Sequence, residues 1–300
     1  MLPQREISKL ANRLYLEAIA EVGKKCARRI PEDVIERDYV LAWLLTQIPT
    51  NALLHEALTF KGGTALRRMH FGEYRFSEDL DFTLTREVPL EDLFAAFDSV
   101  FATLLKVSGI HMSRDEKDVT RHTRNDTFYF NYQGPLPALK RVKVDVTRGE
   151  TIVFPLEPKR VLKTYEEYAD LPCDGIPLSV YSLHEIVVEK TLAVTDGARR
   201  EPRDLYDLWF ILSERHLQHP EEIVAGLNRK LASREGRAMD VLSTRLDRVE
   251  AVLRKGWETR LGLQVDVLPG FEECFRDVKK LMNDFDRLRA AEIGKSQRRS

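Results

Sequence analysis

Residues 58–84 read LTFKGGTALRRMHFGEYRFSEDLDFTL. An apolar run, Leu58-Thr59-Phe60, closes on Lys61, Gly62, Gly63 and Thr64. Further on, Ser77-Glu78-Asp79-Leu80-Asp81 enters Phe82-Thr83-Leu84. Side chains on a strand alternate faces. A strand from Asp79 to Leu84 therefore points Asp79 and Asp81 to one side. It points Leu80 and Phe82 to the other, where a core takes them.

Two carboxylates side by side repel unless a cation lies between them. Hard oxygen ligands of this kind suit Mg²⁺ or Mn²⁺, which are commonly held by one or two carboxylates plus substrate phosphates. The glycine pair supplies a matching phosphate site. Glycine lets backbone N–H groups approach an anion closely, and a helix beginning at Thr64 presents its positive end there. Thr64 is placed to cap that helix. Asp-x-Asp alone, or Gly-Gly alone, is a weak signal. The order strand, Gly-Gly-Thr, helix, loop, Ser-x-Asp-x-Asp, strand is far more specific.

That order resembles the core of the DNA polymerase β-like nucleotidyltransferase superfamily. The fuller string KGGTALR…RFSEDLDF is similar to the AbiEii/MenT family of toxins from bacterial toxin–antitoxin pairs. The resemblance implies an α/β fold: a nucleotidyltransferase-like mixed sheet with flanking helices, followed by an α-helical C-terminal domain. It also implies an NTP substrate and metal at Asp79 and Asp81. Lys61, Gly62, Gly63 and Thr64 would cradle the triphosphate.

Composition limits the alternatives. With 300 residues and 43% hydrophobic content, the chain can bury an ordinary core in one large or two modest domains. A net charge of −1 gives no global basicity toward nucleic acid, though a local basic face is compatible with it. Cys26, Cys173 and Cys274 have neither zinc spacing nor a disulfide framework, which fits a reducing cytoplasm. The N-terminus MLPQREISKL lacks the apolar stretch of a secretory signal, and no uncharged run is long enough for a bilayer, so no membrane partner is expected.

Apolar spacing predicts amphipathic helices over 5–25, 32–48 and 89–107, and strands over 110–113, 127–132 and 141–147. Arg67 and Arg68 fall on the helix after the glycines. Arg67 either faces nucleotide phosphates or is a solvated helix charge. Arg75 either holds the loop or neutralises the acids, and Ser77 either contacts a phosphate or caps the turn. In Arg-Val-Lys-Val-Asp-Val-Thr (141–147), the valines take one face, and Lys143, Asp145 and Thr147 the other. Asp145 is where the superfamily would place a third metal-binding carboxylate; an ordinary charged row on an edge strand is the plain alternative.

Residues 148–177 are rich in charge and proline and read as a crossing between domains, 1–155 and 156–300. Lys159, Arg160 and Lys163 make it basic. Beyond it the chain is helical. Ser182 with Glu185 forms a capping box, and Pro202 followed by acids suits a helix start. Arg203 and Asp207 are spaced to pair on one helix face. EK…R…RDLYDL is a second match to the AbiEii/MenT family, carried by Lys190, Arg203, Asp204 and Asp207. The resemblance implies that Lys190 and Arg203 hold nucleotide phosphates, that Asp207 acts as base or orients the acceptor, and that these helices face the metal site across a cleft. Helices are also predicted over about 221–233, 237–261 and 271–292, with a basic, unstructured tail at 295–300.

The expected reaction is transfer of NMP from an NTP to an RNA acceptor, by resemblance the 3′ end of a tRNA, blocking translation. A separate antitoxin protein would be its partner. The alternatives are transfer to a protein or small molecule, a non-catalytic nucleotide or RNA binder, and a metal-dependent glycosyltransferase using Asp-x-Asp. Gly-Gly-Thr and the Arg-Asp-x-x-Asp pair argue against the last.

Overall fold

The computed structural model describes residues 1–172, 174–214, 217, 219–233 and 241–297. The chain forms two compact units. The first comprises Met1–Glu150, Leu156–Tyr181 and Leu263–Val267; the second comprises Thr151–Pro155, Ser182–Gly262 and Leu268–Ser300.

The first unit begins with helices α1 (Gln4–Val22), α2 (Glu32–Gln47) and α3 (Ala52–Ala57). Strand β1 (Leu58–Lys61) leads directly into a short helix, α4 (Gly62–Ala65), and a π-helical segment, Leu66–Phe71. There follow β2 (Leu80–Leu84), α5 (Leu90–Ser108), β3 (His111–Arg121), β4 (Asn125–Gln133), β5 (Lys140–Thr147), β6 (Leu156–Lys159) and β7 (Leu178–Tyr181). These strands form one mixed sheet in the order β3-β4-β5-β2-β1-β7-β6. β1 pairs antiparallel with β2 and parallel with β7, while β2 pairs parallel with β5.

The valine alternation of β5 works as read: Val142, Val144 and Val146 are buried with Leu80 and Phe82 of β2. Phe97 and Phe101 of α5 close over Phe130, with ring centres 4.9 and 4.8 Å away. Packing this dense on one face leaves the opposite side chains of β4, β5 and β2 for polar work. The stretch expected as a crossing is partly sheet, since β6 and β7 pair antiparallel and extend the first unit beyond residue 155.

The second unit carries α6 (Leu183–Val194), α7 (Pro202–Ser213), α8 (Pro220–Ser233), α9 (Leu242–Leu261) and α10 (Phe271–Gln297). Ser182 caps α6 as expected, its side chain accepting from the Glu185 N–H. Lys230 is fully buried and donates to Glu185 at 2.6 Å, while the other Glu185 oxygen accepts from the Val153 and Phe154 N–H groups. α10 continues to Gln297, through part of the expected tail; residues 298–300 lie outside the described residues, as do Cys173 and the expected helical turn at 237–240. No helix among the described residues is long and apolar enough to cross a membrane.

Candidate active site

The ladder of the sheet assembles the site. Lys61 of β1 is registered with Asp81 of β2, Asp81 with Asp145 of β5, and Asp145 with Thr127 of β4. One rung across four strands thus carries a cation, two carboxylates and a hydroxyl. Asp79 immediately precedes β2. Asp79, Asp81 and Asp145 are all partly exposed, and Lys61 is half-buried with its ammonium 5.5 Å from the centre of the Tyr181 ring.

Each residue of Gly-Gly-Thr docks on the segment that bears the acids. Gly62 has φ +81°, and a Cβ there would lie 2.2 Å from the Asp81 carboxylate oxygen Oδ2. Only glycine meets both conditions. A Cβ on Gly63 would lie 2.6 Å from an Arg75 nitrogen and 2.9 Å from Ser77 Oγ. The Thr64 hydroxyl donates to the Asp79 carbonyl at 2.6 Å. Thr64 is therefore not the helix cap; it sits inside α4 and ties the glycine turn to the loop that carries Asp79. Arg75 is buried and donates to Gln264 Oε1 at 3.0 Å, so it holds the loop.

Arg67 corrects the expectation that it contacts phosphate. It is fully buried, donates to Asp38 at 2.7 Å and to the Tyr165 hydroxyl at 2.8 Å, and lies 3.7 Å from the centre of the Phe76 ring. Its neighbour Arg68, also fully buried, pairs with the same carboxylate. Burial alone pushes the Asp38 pKa up, but the two guanidiniums outweigh it and hold the acid below its ordinary range. Asp38 thus anchors α2 to the π-helical segment behind the glycine turn.

Asp145 has a dense set of partners. Lys143 donates to its Oδ2 at 2.6 Å; Thr127 and Asn125 donate to Oδ1 at 2.5 and 3.2 Å. Burial raises its pKa, yet these bonds leave it lowered overall. Burial lowers the pKa of Lys143, and Asp145, Asp79 and Asp81 together raise it. Lys143 is therefore the local counter-ion of all three acids. Among the described residues no group of three or more His, Cys, Asp or Glu is gathered closely enough to hold a metal ion. Asp79 and Asp81 fit Mg²⁺ or Mn²⁺ in donor chemistry, since such ions take one or two carboxylates and complete their shell with phosphates and water.

The second unit has its own ionic cluster. Lys190 of α6 lies 2.7 Å from Asp204 and 2.6 Å from Asp207 of α7. Both acids are fully buried, and Arg199 reaches Asp204 at 2.8 Å. Burial raises the Asp204 pKa, but Lys190 and Arg199 bring it below the usual range. Arg203 is half-exposed on α7. Lys190, Asp204 and Asp207 of the EK…RDLYDL match are thus brought together, with Asp207 bonded to Lys190.

Comparison with known proteins decides the family. Residues 43–286 match the family described as the nucleotidyl transferase AbiEii toxin of type IV toxin–antitoxin systems. The chain belongs to the AbiEii toxin family. Among solved structures, the nucleotidyltransferase toxin MenT4 from Mycobacterium tuberculosis is similar, with a TM-score of 0.56 and 20% identity over 93% of each chain. At that identity the likeness shows the fold: a nucleotidyltransferase mixed sheet with a helical C-terminal region. No curated protein sequence matches. AbiEii membership supports transferase activity in general, an NTP, a divalent metal and an antitoxin partner.

Sequence reading passed over Asn125, Thr127 and Lys143 as partners of Asp145. For Thr127 and Lys143 the alternation on strands already expected was the available signal; Asn125 lies before the expected start of its strand. Asp38 gave none, because a single acid inside an amphipathic helix looks like any surface residue.

Proposed function

We propose that the chain transfers NMP from an NTP to an RNA 3′ hydroxyl, with the tRNA 3′ end as acceptor and blocked translation as the consequence. The observation that carries this reading is the contact of Gly62 with Asp81. A glycine turn suited to phosphates is pressed, by its backbone, against a metal-binding carboxylate one strand away.

Lys61 and the backbone of Gly62, Gly63 and Thr64 bind the triphosphate, and Ser77 borders the same turn. Lys190 and Arg203 are assigned to phosphates from the helical unit, with Lys190 first having to loosen its hold on Asp207. Asp79 and Asp81 hold Mg²⁺ or Mn²⁺, which when bound offsets charge on the attacking and leaving oxygens. Asp145 serves as third acid. Being ionised at neutral pH, it accepts the proton of the acceptor hydroxyl while Thr127 and Lys143 fix its orientation. The hydroxyl oxygen bonds to the α-phosphorus, the bond from that phosphorus to the bridging oxygen breaks, and pyrophosphate departs. Asp207, buried against Lys190, is assigned to orienting the acceptor.

Purified protein, Mg²⁺ and each α-labelled NTP mixed with total tRNA provide the test. Label on tRNA with wild type and none with Asp81→Ala is the expected result, and it identifies the NTP. Label on protein or a metabolite instead would move the acceptor to another class. No transfer with any NTP or metal would leave a binding module as the better reading.

A further inference from the structure

The rung through Asp81 has a neighbour. Tyr129 of β4 is registered with Lys143 of β5. Both residues, with Arg37, Glu78, Asp79 and Arg141, line a cavity of about 320 Å³. That is the low end for a ligand site and suits a single nucleotide unit.

The walls are prepared for a base and a phosphate. The Arg141 guanidinium carbon lies 4.1 Å from the centre of the Tyr129 ring, so a cation and an aromatic ring form one platform in the wall. Arg141 is held in place from behind by Asp118 at 2.8 Å and Asp115 at 3.3 Å. Arg37 is fixed by Glu78 at 2.6 Å, and Lys143 sits on Asp145 at 2.6 Å. Bases stack on tyrosine rings and on guanidinium planes whatever their sequence. Cations beside such a platform favour the backbone phosphate.

Position selects which nucleotide binds. In the sheet, β2 with its acids lies between β1, which feeds the glycine turn, and β5 and β4, which carry the cavity. Displacement at phosphorus places the attacking and leaving oxygens in line, on opposite sides. With the triphosphate on Gly62 and Gly63, pyrophosphate leaves on the β1 side, so the attacking hydroxyl enters from the β5 side. We infer that this cavity receives the terminal nucleotide of a single-stranded RNA acceptor. Its base lies on the Tyr129–Arg141 platform, its phosphate against Lys143 and Arg37, and its free hydroxyl toward Asp79. This inference rests on the glycine turn being the triphosphate site.

Binding can be read without catalysis. A short single-stranded oligoribonucleotide, dye-labelled at its 5′ end, is titrated with protein in EDTA and followed by fluorescence anisotropy. Tyr129→Ala and Arg141→Ala are each expected to weaken binding about tenfold, the scale of one lost stacking contact. Tyr129→Phe is expected to restore it. NTP affinity, measured by competition with a fluorescent NTP, should stay within about twofold of wild type. Arg141 has a half-exposed side chain, so its variant guards against a folding defect in Tyr129→Ala. Variants that hold the oligonucleotide as tightly as wild type would overturn the inference. So would variants that lose NTP and keep RNA, because the cavity would then belong to the NTP. Wild type that binds the oligonucleotide but transfers nothing would count against the proposed activity and leave the cavity assignment standing.

Discussion

Gly62 is where backbone and chemistry meet. Its positive φ and the nearness of Asp81 Oδ2 are separate demands, and alanine violates both. A left-handed conformation costs an L-residue roughly 1–2 kcal/mol. Displacement of the Asp81 carboxylate by about 1 Å is the larger functional penalty, of order a hundredfold in rate. Gly62→Ala is therefore expected to lower kcat for transfer about a hundredfold. Gly149 provides the control: it has φ +61° and nothing within 4 Å of a Cβ, so Gly149→Ala carries the strain without the clash. Comparable unfolding midpoints for the two variants, with activity lost only at Gly62, is the expected pattern in paired denaturation and rate measurements. At this same scale the sequence was most legible where residue type is chemically obligatory. Gly62, Gly63, Asp79 and Asp81 carry the proposed phosphate and metal binding, chemistry for which few residue types substitute. Arg67 misled because nothing in its local spacing distinguishes a buried cation from one facing solvent.

Among the elements, a buried ion-pair cluster joins α2 to the π-helical segment that follows the glycine turn. Residues adjacent on an ideal helix point about 100° apart, yet the side chains of Arg67 and Arg68 both converge on Asp38. The segment carries the π-type bond from the Gly72 N–H to the Arg67 carbonyl at 2.9 Å. Removing the acid leaves two buried cations short of a charge. Asp38→Asn is expected to cost about 3–5 kcal/mol in urea unfolding at pH 7, the usual cost of breaking a buried pair. The pH dependence has a definite sign. The folded pKa of Asp38 is depressed, so its contribution is fully present above the unfolded value of about 3.9 and is lost as pH falls through the folded value. The gap between wild type and variant should narrow below about pH 4; a constant gap would mean that the ion pair is not its source. Helices and strands themselves were legible from periodicity, with α1, α2, α5 and β5 close to their expected bounds. β6 and β7 were not, because four-residue strands among prolines lack a period to detect.

For the whole molecule, the sequence supplied the two motif sets and the structure supplied what surrounds them. The Gly-Gly and Asp-x-Asp motifs share one sheet, and the Lys190 and Arg-Asp-x-x-Asp residues form one ionic cluster on paired helices. What stayed illegible was the far side of the rung. Tyr129, Arg141, Lys143 and Arg37 come from two strands and a helix distant in the chain, and only the register of β4 on β5 unites the strand residues. The central claim is that a hydroxyl attacks the α-phosphate at the Asp79–Asp81 carboxylates. The most direct measurement runs the transfer reaction in parallel with NTP labelled at the α- and at the γ-phosphate, for wild type and Asp81→Asn. The account expects α-label on the RNA, γ-label released as pyrophosphate, and neither with the variant. γ-label on the RNA, or α-transfer undiminished in Asp81→Asn, would contradict it.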